Sequence, residues 1–316
     1  MTTQPDLTVN IGALELRNPV LAASGTFGYG SEYGRFVDLS DFGGIVTKTL
    51  TPEPWPGNPP PRAAETAAGM LNSIGLQNVG VEAFIRDKMP YLRNVDTALI
   101  VNVGGGPVEE FVYVTERLSD CEGIDALEIN MSCPNVSGGM DFSTDPRRAA
   151  ELVSTLRSIT ELPLIAKLTP NVTDIAEIAR SVEEAGADAV SAINTLRGMA
   201  VDIRTRRPML GAVTGGLSGP AIKPVAVAAV YRIASRVSVP VIGIGGIMSG
   251  EDAVEFLVAG ATAVQVGTAT FVEPRAGPSV ARTLAEWCAV SEVHSVRSLI
   301  GSIQIPSPED APCHPS

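Results

Sequence analysis

The sequence predicts one α/β domain, a (β/α)8 barrel of the TIM type with an N-terminal β-hairpin and long loops on its carboxyl face. The first observation is size, because 316 residues, 45% of them apolar, suit one barrel of about 250 residues or more. The second is a short apolar run that recurs eight times, with helical patterns between several of the runs. The third is that the long connections all follow the ends of these runs.

The hairpin is predicted over residues 7–16, before the first recurring unit. Apolar residues alternate with polar ones there, and Gly12 interrupts the alternation near its centre. This pattern is typical of two short strands joined by a turn. A hairpin in this position commonly covers the bottom of a barrel.

Eight strands are predicted from the apolar runs. The runs are rich in β-branched or small residues and too short for helices, which is typical of parallel strands buried on both faces. Repeated alternation of strand and helix favours a closed barrel over an open sheet. The runs cover residues 20–23, 44–46, 98–101, 126–129, 164–166, 189–192, 241–244 and 263–266.

Two of the predicted helices have clear boundaries. Residues 174–185 repeat apolar side chains at helical spacing, with Asp174 in the capping position and Gly186 as the stop. A second helix with the same scheme is predicted between Ser249 and Gly260.

Three long connections follow predicted strand ends, at residues 50–83, 131–146 and 195–219. Long loops at the carboxyl ends of barrel strands are where barrel enzymes carry their active sites. We therefore assign residues 1–304 to the barrel. Residues 305–316, with four prolines, are predicted to be a loosely packed C-terminal tail.

Small or hydrogen-bonding residues follow the predicted strands at their carboxyl ends. Any one of them alone is best interpreted as a loop residue that caps a helix. A ring of such residues around one pocket is harder to explain in that way and predicts a ligand site. The ring comprises Ser24, Lys48, Thr49, Asn102, Asn130, Lys167, Asn194, Thr195, Gly245, Gly246, Gly267 and Thr268.

The chemistry of this ring predicts a phosphorylated ligand with carbonyl and N–H edges. Residues 245–246 and 267–268 follow the last two strands, which is the usual phosphate position of a barrel, and the helix from Ser249 is expected to direct its positive end there. Lys167 is expected to neutralise charge that develops on a ring such as a flavin. Lys48 is expected to face a substrate carboxylate or the same ring.

The acid–base residue is less clear from the residues alone. His294 and His314 lie far from every strand end, and Glu128 lies within a strand, where burial with a partner is expected. Cys133 follows the fourth strand, and two interpretations stay open. It is a thiolate base close to a lysine and helix dipoles, or an inert small residue in a turn.

Composition excludes several classes of function. The net charge of -12 argues against a nucleic-acid partner or an anionic membrane. The four cysteines form no C-x-x-C pair and no metal-ligand cluster is visible, so we expect no metal in this chain. Scattered thiols and the absence of a signal peptide over residues 1–6 predict a cytoplasmic protein.

Longer motifs occur in order along the chain. Residues 130–136 read Asn-Met-Ser-Cys-Pro-Asn-Val, and residues 70–78 read Met-Leu-Asn-Ser-Ile-Gly-Leu-Gln-Asn. Further blocks lie at residues 193–195, 215–219 and 244–247. Together they resemble the active-site loop, the substrate loop and other blocks of the soluble dihydroorotate dehydrogenases. The resemblance runs from the hairpin to the last strand.

This resemblance implies an oxidoreductase that converts (S)-dihydroorotate to orotate in pyrimidine (UMP) biosynthesis, with one FMN per chain. Cys133 would remove a ring proton while hydride passes to FMN, and residues 134–145 would close as a lid. The substrate would contact Lys48, Asn72, Ser73, Ile74, Gly75, Leu76, Asn130, Asn194 and Thr195. FMN would contact Ser24, Lys48, Thr49, Asn102, Asn130, Lys167, Ile193, Gly219, Gly245, Gly246, Gly267 and Thr268.

Within the family, residues 71–78 resemble the type 1B pattern. That type passes electrons to a separate subunit with FAD and a [2Fe–2S] cluster, and then to NAD, which implies a heterotetramer built on a homodimer of this chain. Because this chain has no cluster ligands, the cluster and the FAD are expected only on the partner. The homodimeric type that uses fumarate is the alternative. The membrane-associated class has serine at position 133, where this chain has cysteine.

Other functions stay open as alternatives. Another flavin barrel, such as a dihydropyrimidine dehydrogenase-like enzyme, would share the ring of residues. A tRNA dihydrouridine synthase would need a basic surface, against the net charge. A binding protein without turnover would not need the Cys133 motif or the asparagines, and a phosphosugar isomerase would normally need a carboxylate or histidine base at a strand end.

Overall fold

Eight parallel strands form a closed barrel at the centre of the computed structural model, which describes residues 4–132 and 142–306. The strands, in chain order, are β1 Val9–Ile11, β2 Leu14–Leu16, β3 Val20–Ala22, β4 Gly44–Val46, β5 Ala63–Thr66, β6 Gly69–Asn72, β7 Ala98–Val103, β8 Ala126–Asn130, β9 Leu164–Leu168, β10 Ala189–Ala192, β11 Leu196–Gly198, β12 Val201–Asp202, β13 Arg207–Pro208, β14 Gly215–Ser218, β15 Val241–Ile244 and β16 Ala263–Val266.

Helices lie between the strands. They are α1 Val81–Asp87, α2 Met89–Leu92, α3 Val108–Ser119, α4 Pro146–Arg157, α5 Ile175–Glu184, α6 Lys223–Ala234, α7 Gly250–Val258, α8 Ala269–Val272 and α9 Ala276–Val290, with short 3-10 turns at Leu39–Asp41, Phe142–Thr144, Pro220–Ile222 and Val296–Leu299.

The barrel contains the eight strands that the apolar runs predict, and the prediction is confirmed. The order around the barrel is β3, β4, β7, β8, β9, β10, β15 and β16. The last strand pairs with the first, with Val264 opposite Val20. Every residue of β8, β9 and β10 is buried, because these strands face the barrel interior on one side and the helices on the other.

The hairpin and the helix boundaries also agree with the sequence. Strands β1 and β2 pair antiparallel, and Gly12 has a φ of +58° in their turn, which lies against Asp188, directly before β10. The hairpin therefore lies at the amino end of the barrel. Helix α5 begins after Asp174, whose carboxylate accepts from the Ala176 N–H. Helix α7 begins after Ser249 with a complete capping box.

A second sheet was not predicted. Strands β5, β6, β14 and β11 form an antiparallel four-stranded sheet, which we call the mouth sheet. Its strands come from two of the connections that the sequence presents as loops, and β6 pairs with β14 across a large part of the chain. Short, glycine-containing strands with such distant partners leave no local periodic pattern to recognise.

No helix within residues 4–132 and 142–306 is long and apolar enough to cross a membrane. The boundary at residue 304 stays a prediction, since residues 307–316 of the tail lie outside the described residues.

Candidate active site

A cavity of about 1070 Å³ opens at the carboxyl ends of the barrel strands, beside the mouth sheet. Most of the predicted site residues line it. Ser73 and Asn102 do not, and Cys133 with residues 134–141 lies outside the described residues. The predicted residues in the lining are Ser24, Lys48, Thr49, Asn72, Ile74, Gly75, Leu76, Asn130, Lys167, Ile193, Asn194, Thr195, Gly219, Gly245, Gly246, Gly267 and Thr268.

Lys48 supplies a free positive charge to this cavity. It follows β4, and its ammonium has no hydrogen-bond or ion-pair partner within the described part of the chain. Burial lowers the pKa of Lys48, and the nearby Arg62 guanidinium lowers it further. A partly buried cation without a counter-charge favours an anionic ligand, because the ligand would replace the solvation that burial removes.

The segment of residues 73–77 is held in place from behind by Arg62. The guanidinium donates to Gln77 Oε1 at 2.7 Å and to the Pro56 carbonyl at 3.1 Å. The Ser73 hydroxyl is turned away from the cavity, where Asn58 Nδ2 donates to it at 2.8 Å. Leu76 lies in the left-handed region with a φ of +56°, so the segment has a fixed and unusual backbone shape.

The mouth sheet positions Asn72. This residue ends β6 and lies opposite Gly216 in the register, and its Nδ2 donates to the Gly216 carbonyl at 3.4 Å. Gly216 has no room for a side chain, since an added Cβ would lie 2.0 Å from Thr195 Oγ1. The glycine therefore lets Thr195, from the end of β10, approach the sheet closely.

Asparagines at the ends of β8 and β10 form a small network with Ser132. Asn194 Nδ2 donates to Ser132 Oγ at 2.7 Å, and Asn194 Oδ1 accepts from the Thr195 N–H at 2.8 Å. Within the described residues the Asn130 amide nitrogen donates to no group, and Asn130 lines the cavity. These contacts fix the two amide planes in the lining of the cavity.

Backbone N–H groups of two glycine-containing loops also border the cavity. The N–H groups of Gly245, Gly246 and Thr268 donate to nothing in the described ranges. A Cβ on Gly246, where φ is +73°, would lie 2.9 Å from the Gly219 carbonyl oxygen, so the two loops touch through backbone. Free N–H groups on closely packed glycine loops form an anion site.

The N–H groups at the start of α7 are paired within the protein. The Met248 and Ser249 N–H groups donate to Asp252, and the Gly250 N–H donates to Thr283. The capping box therefore leaves the positive end of the helix, rather than these N–H groups, to act on an anion in the cavity.

Lys167 lies between the cavity and a buried carboxylate. Its Nζ is 3.0 Å from Glu128 Oε1 inside the barrel, which confirms the expectation that Glu128 is buried with a partner. Asn102 donates to the same oxygen at 2.6 Å. Asn102 is thus placed behind Lys167, because the carboxylate holds its amide, whereas strand-end position alone suggested direct contact with a ligand.

Other lining residues did not emerge from the sequence. Asn171 lines the cavity and donates to the Thr195 carbonyl at 3.0 Å, and Thr169 lies directly after β9. Both lie within three residues of the end of β9, so a search that extended a little further beyond each strand end would have found them. Phe271 and Arg197 carry no recognisable local signal, and Ser218 lies in the motif of residues 215–219 but was not singled out. In the described ranges no three His, Cys, Asp or Glu side chains could hold a metal ion together.

Comparisons with known proteins agree with this geometry. A family model for dihydroorotate dehydrogenase matches residues 6–287. A protein of Geobacter sp. strain M21, named dihydroorotate dehydrogenase B (NAD(+)), catalytic subunit, is 52% identical over 303 residues, which are 96% of this chain and 99% of that protein. A protein of Trichlorobacter lovleyi with the same name is 55% identical over 302 residues, 95% of this chain and 99% of the relative.

A solved structure supports the fold alone. The chain in the crystal structure of Eimeria tenella DHODH in complex with ferulenol has a TM-score of 0.78 to this chain at 24% identity. The match covers 94% of this chain and 88% of the other.

Proposed function

The chain belongs to the dihydroorotate dehydrogenase family, and from that premise we propose that it oxidises (S)-dihydroorotate to orotate in pyrimidine biosynthesis. The observation that carries the proposal is 52% and 55% identity over nearly the whole chain to two proteins named as catalytic subunits of this enzyme. The cavity adds support, because the motifs that resemble the family contribute polar side chains to its lining, namely Asn72, Asn130, Ser132, Asn194, Thr195 and Ser218.

The substrate side of the cavity suits dihydroorotate, a small ring with one carboxylate. Lys48, which has no partner among residues 4–132 and 142–306, offers its cation to the carboxylate, and Asn72, Asn130, Asn194 and Thr195 offer amide and hydroxyl groups to the ring edges. The fixed segment of residues 73–77 adds backbone donors and acceptors. By holding dihydroorotate in one orientation, these residues would raise the rate of the reaction before any bond changes.

The residues opposite suit FMN. The glycine-loop N–H groups that have no partner in the described ranges fit its phosphate, and Lys167, Thr49 and Ser24 offer polar groups to its ring. A flavin mononucleotide needs an anion site at one end and hydrogen-bonding partners for a ring at the other, and the cavity has both. When bound, FMN accepts a hydride from the substrate.

Cys133 is proposed as the base that takes a proton from the ring carbon next to the one that loses hydride. The residue lies outside the described residues, so the proposal depends on the motif of residues 130–136. Cys133→Ala should bind FMN normally and lose about 10²- to 10⁴-fold in turnover, the usual contribution of a general base. Cys121→Ala is the matched control, and full turnover in Cys133→Ala would contradict the assignment.

The electrons are proposed to leave through a partner subunit that carries FAD and a [2Fe–2S] cluster, and to reach NAD. The words "NAD(+)" and "catalytic subunit" in the names of the relatives support this. Two copies of this chain with two partners would form a heterotetramer. A cytoplasmic location stays a prediction from the sequence.

An anaerobic experiment tests the proposal. The purified chain should show a yellow flavin spectrum that dihydroorotate bleaches. If neither fumarate nor NAD then restores the colour, the missing partner subunit is supported, whereas reoxidation by fumarate points to the homodimeric type. A yellow protein that dihydroorotate does not bleach would overturn the substrate.

A further inference from the structure

Glu128 is the centre of a hydrogen-bonded cluster inside the barrel. Its side chain is fully buried, and four side chains donate to the carboxylate. Asn102 and Lys167 donate to Oε1 at 2.6 and 3.0 Å, and Ser191 and Gln265 donate to Oε2 at 2.9 and 2.6 Å. The donors come from β7, β9, β10 and β16, so one carboxylate on β8 connects five of the eight barrel strands.

The cluster is asymmetric with respect to the cavity. Of the five residues, only Lys167 lines the cavity among the described residues, and the other four lie behind it. Lys167 is the one positive charge in the cluster and Glu128 the one negative charge. In a buried setting of low dielectric constant, the field of Lys167 at the cavity therefore depends strongly on Glu128.

The two amides in the cluster show that the carboxylate also orients its neighbours. Asn102 Oδ1 and Gln265 Oε1 are buried and have no partner in the described ranges. Each amide gives its nitrogen to Glu128, which leaves its oxygen unpaired. Unpaired buried acceptors are unfavourable, so an arrangement that contains two of them is unusual for a cluster whose role is stability alone.

We propose that Glu128 is a positioning residue of the FMN site, which fixes the ammonium of Lys167 at the cavity and offsets its charge. This inference rests on the proposed function, because it requires FMN in the cavity. Replacing the carboxylate with a neutral amide leaves the charge of Lys167 unbalanced. Added positive charge favours the form of FMN that carries more electrons, so the midpoint potential should rise.

The test is an anaerobic redox titration of the FMN-loaded chain. In Glu128→Gln, the equilibrium constant for FMN reduction should rise at least about tenfold, which is about 30 mV for a two-electron couple. The FMN absorption bands should shift as well. Glu128→Asp keeps the charge and should restore most of the wild-type potential.

Ser191→Ala is the matched control. It removes one neutral donor from the opposite carboxylate oxygen and leaves all charges in place. The proposal requires a clear shift in Glu128→Gln and almost none in Ser191→Ala. Equal shifts in both variants, or a wild-type potential in Glu128→Gln, would overturn it, because a general loosening of the barrel or no coupling at all would then explain the result.

A second pair of variants tests the proposal if Glu128→Gln does not fold. Lys167→Met and the double variant Glu128→Gln/Lys167→Met differ only in the carboxylate, and the double variant contains no unpaired buried charge. The double variant should show the higher potential of the two, and equal potentials would overturn the proposal. Wild-type chain that binds no FMN would instead overturn the proposed function, so the two failures are distinguishable.

Discussion

The barrel and the mouth sheet are held together in different ways. The barrel strands β8, β9 and β10 are buried along their whole length, and apolar helices pack around them. The mouth sheet is mostly half-buried, and its strand β14 has no fully buried residue. Burial of apolar surface stabilises the first region, whereas backbone pairing and glycine contacts define the second.

This difference implies that the barrel determines the stability of the fold, whereas the mouth sheet determines the geometry of the substrate site. The barrel supplies the fixed ends from which Lys48, Lys167 and the asparagines extend, and the mouth sheet brings Asn72 to them across the cavity. A change in the barrel core should therefore act on unfolding, and a change in the mouth sheet should act on substrate binding.

The largest expected effect comes from the barrel. Phe256 in α7 is fully buried, and its ring lies so close to Gly243 in β15 that an added Cβ there would be 2.3 Å away. Phe256→Ala should lower the free energy of unfolding by about 3–5 kcal/mol, because it leaves a cavity in the core. Chemical denaturation measures this loss, and the KM for dihydroorotate should not change. The exposed Val290→Ala in α9 is the control, with an expected change under about 0.5 kcal/mol.

An intermediate effect should come from the mouth sheet. Gly216→Ala places a methyl group against Thr195, and overpacking of this kind costs about 1–3 kcal/mol. If that strain displaces Thr195 and Asn72, kcat/KM for dihydroorotate should fall by about ten- to a hundredfold. Thermal unfolding should change much less than in Phe256→Ala.

Gly301→Ala serves as the control for the glycine substitution. It is also strained, with a φ of +67°, but nothing lies within 4 Å of the added methyl group. Unchanged kcat/KM in Gly301→Ala together with a loss in Gly216→Ala would support the assignment of geometry to the mouth sheet. Equal kinetics in the two variants would contradict it.

The smallest expected effect is a shift in the pH dependence of kcat/KM. It involves Lys48, which follows barrel strand β4, and Arg62, which directly precedes strand β5 of the mouth sheet. Burial and Arg62 lower the pKa of Lys48, so its positive charge is lost at a lower pH than that of an ordinary lysine. Substrate binding should weaken as the pH rises through this lowered pKa. Arg62→Gln raises the pKa of Lys48 and should move the alkaline limb of kcat/KM to higher pH.

Arg62→Lys keeps the charge but loses the paired hydrogen bonds of the guanidinium, so its alkaline limb should stay close to the wild type. If both variants shift the limb equally, the contacts of Arg62 rather than its charge are responsible.

The same lowered pKa of Lys48 has a consequence for the stability of the fold. Between the pKa of Lys48 in the fold and its ordinary value, the unfolded chain binds more protons, so Lys48 makes stability rise with pH there.

The barrel was predictable from the sequence because its pattern is local. Each apolar run is a strand in itself, and Asp174, Ser249 and Gly12 mark boundaries within a few residues of the elements that they limit. All of the residues that were selected at strand ends, except Asn102, then proved to line the cavity, without any knowledge of strand pairing.

The remainder depended on partners far along the chain. The motif of residues 70–78 pointed to Asn72, but not to its pairing with Gly216, 144 residues away, which brings it to the cavity. Asn102 was expected at the cavity, but the Glu128 carboxylate holds it behind Lys167. The start of α7 at Ser249 was predictable, but the pairing of the Met248 and Ser249 N–H groups with Asp252 was not.

Because β16 pairs with β3, the barrel cannot close until the last strand has left the ribosome. Val20 leaves the ribosome early, yet its partner Val264 follows 244 residues later. At about 5–20 residues per second, the first barrel strand waits roughly 10–50 s with an unpaired edge. An open edge of apolar parallel sheet invites association with other chains. Nascent chains of this protein should therefore be most vulnerable to aggregation, and most dependent on chaperones, shortly before the last strand emerges.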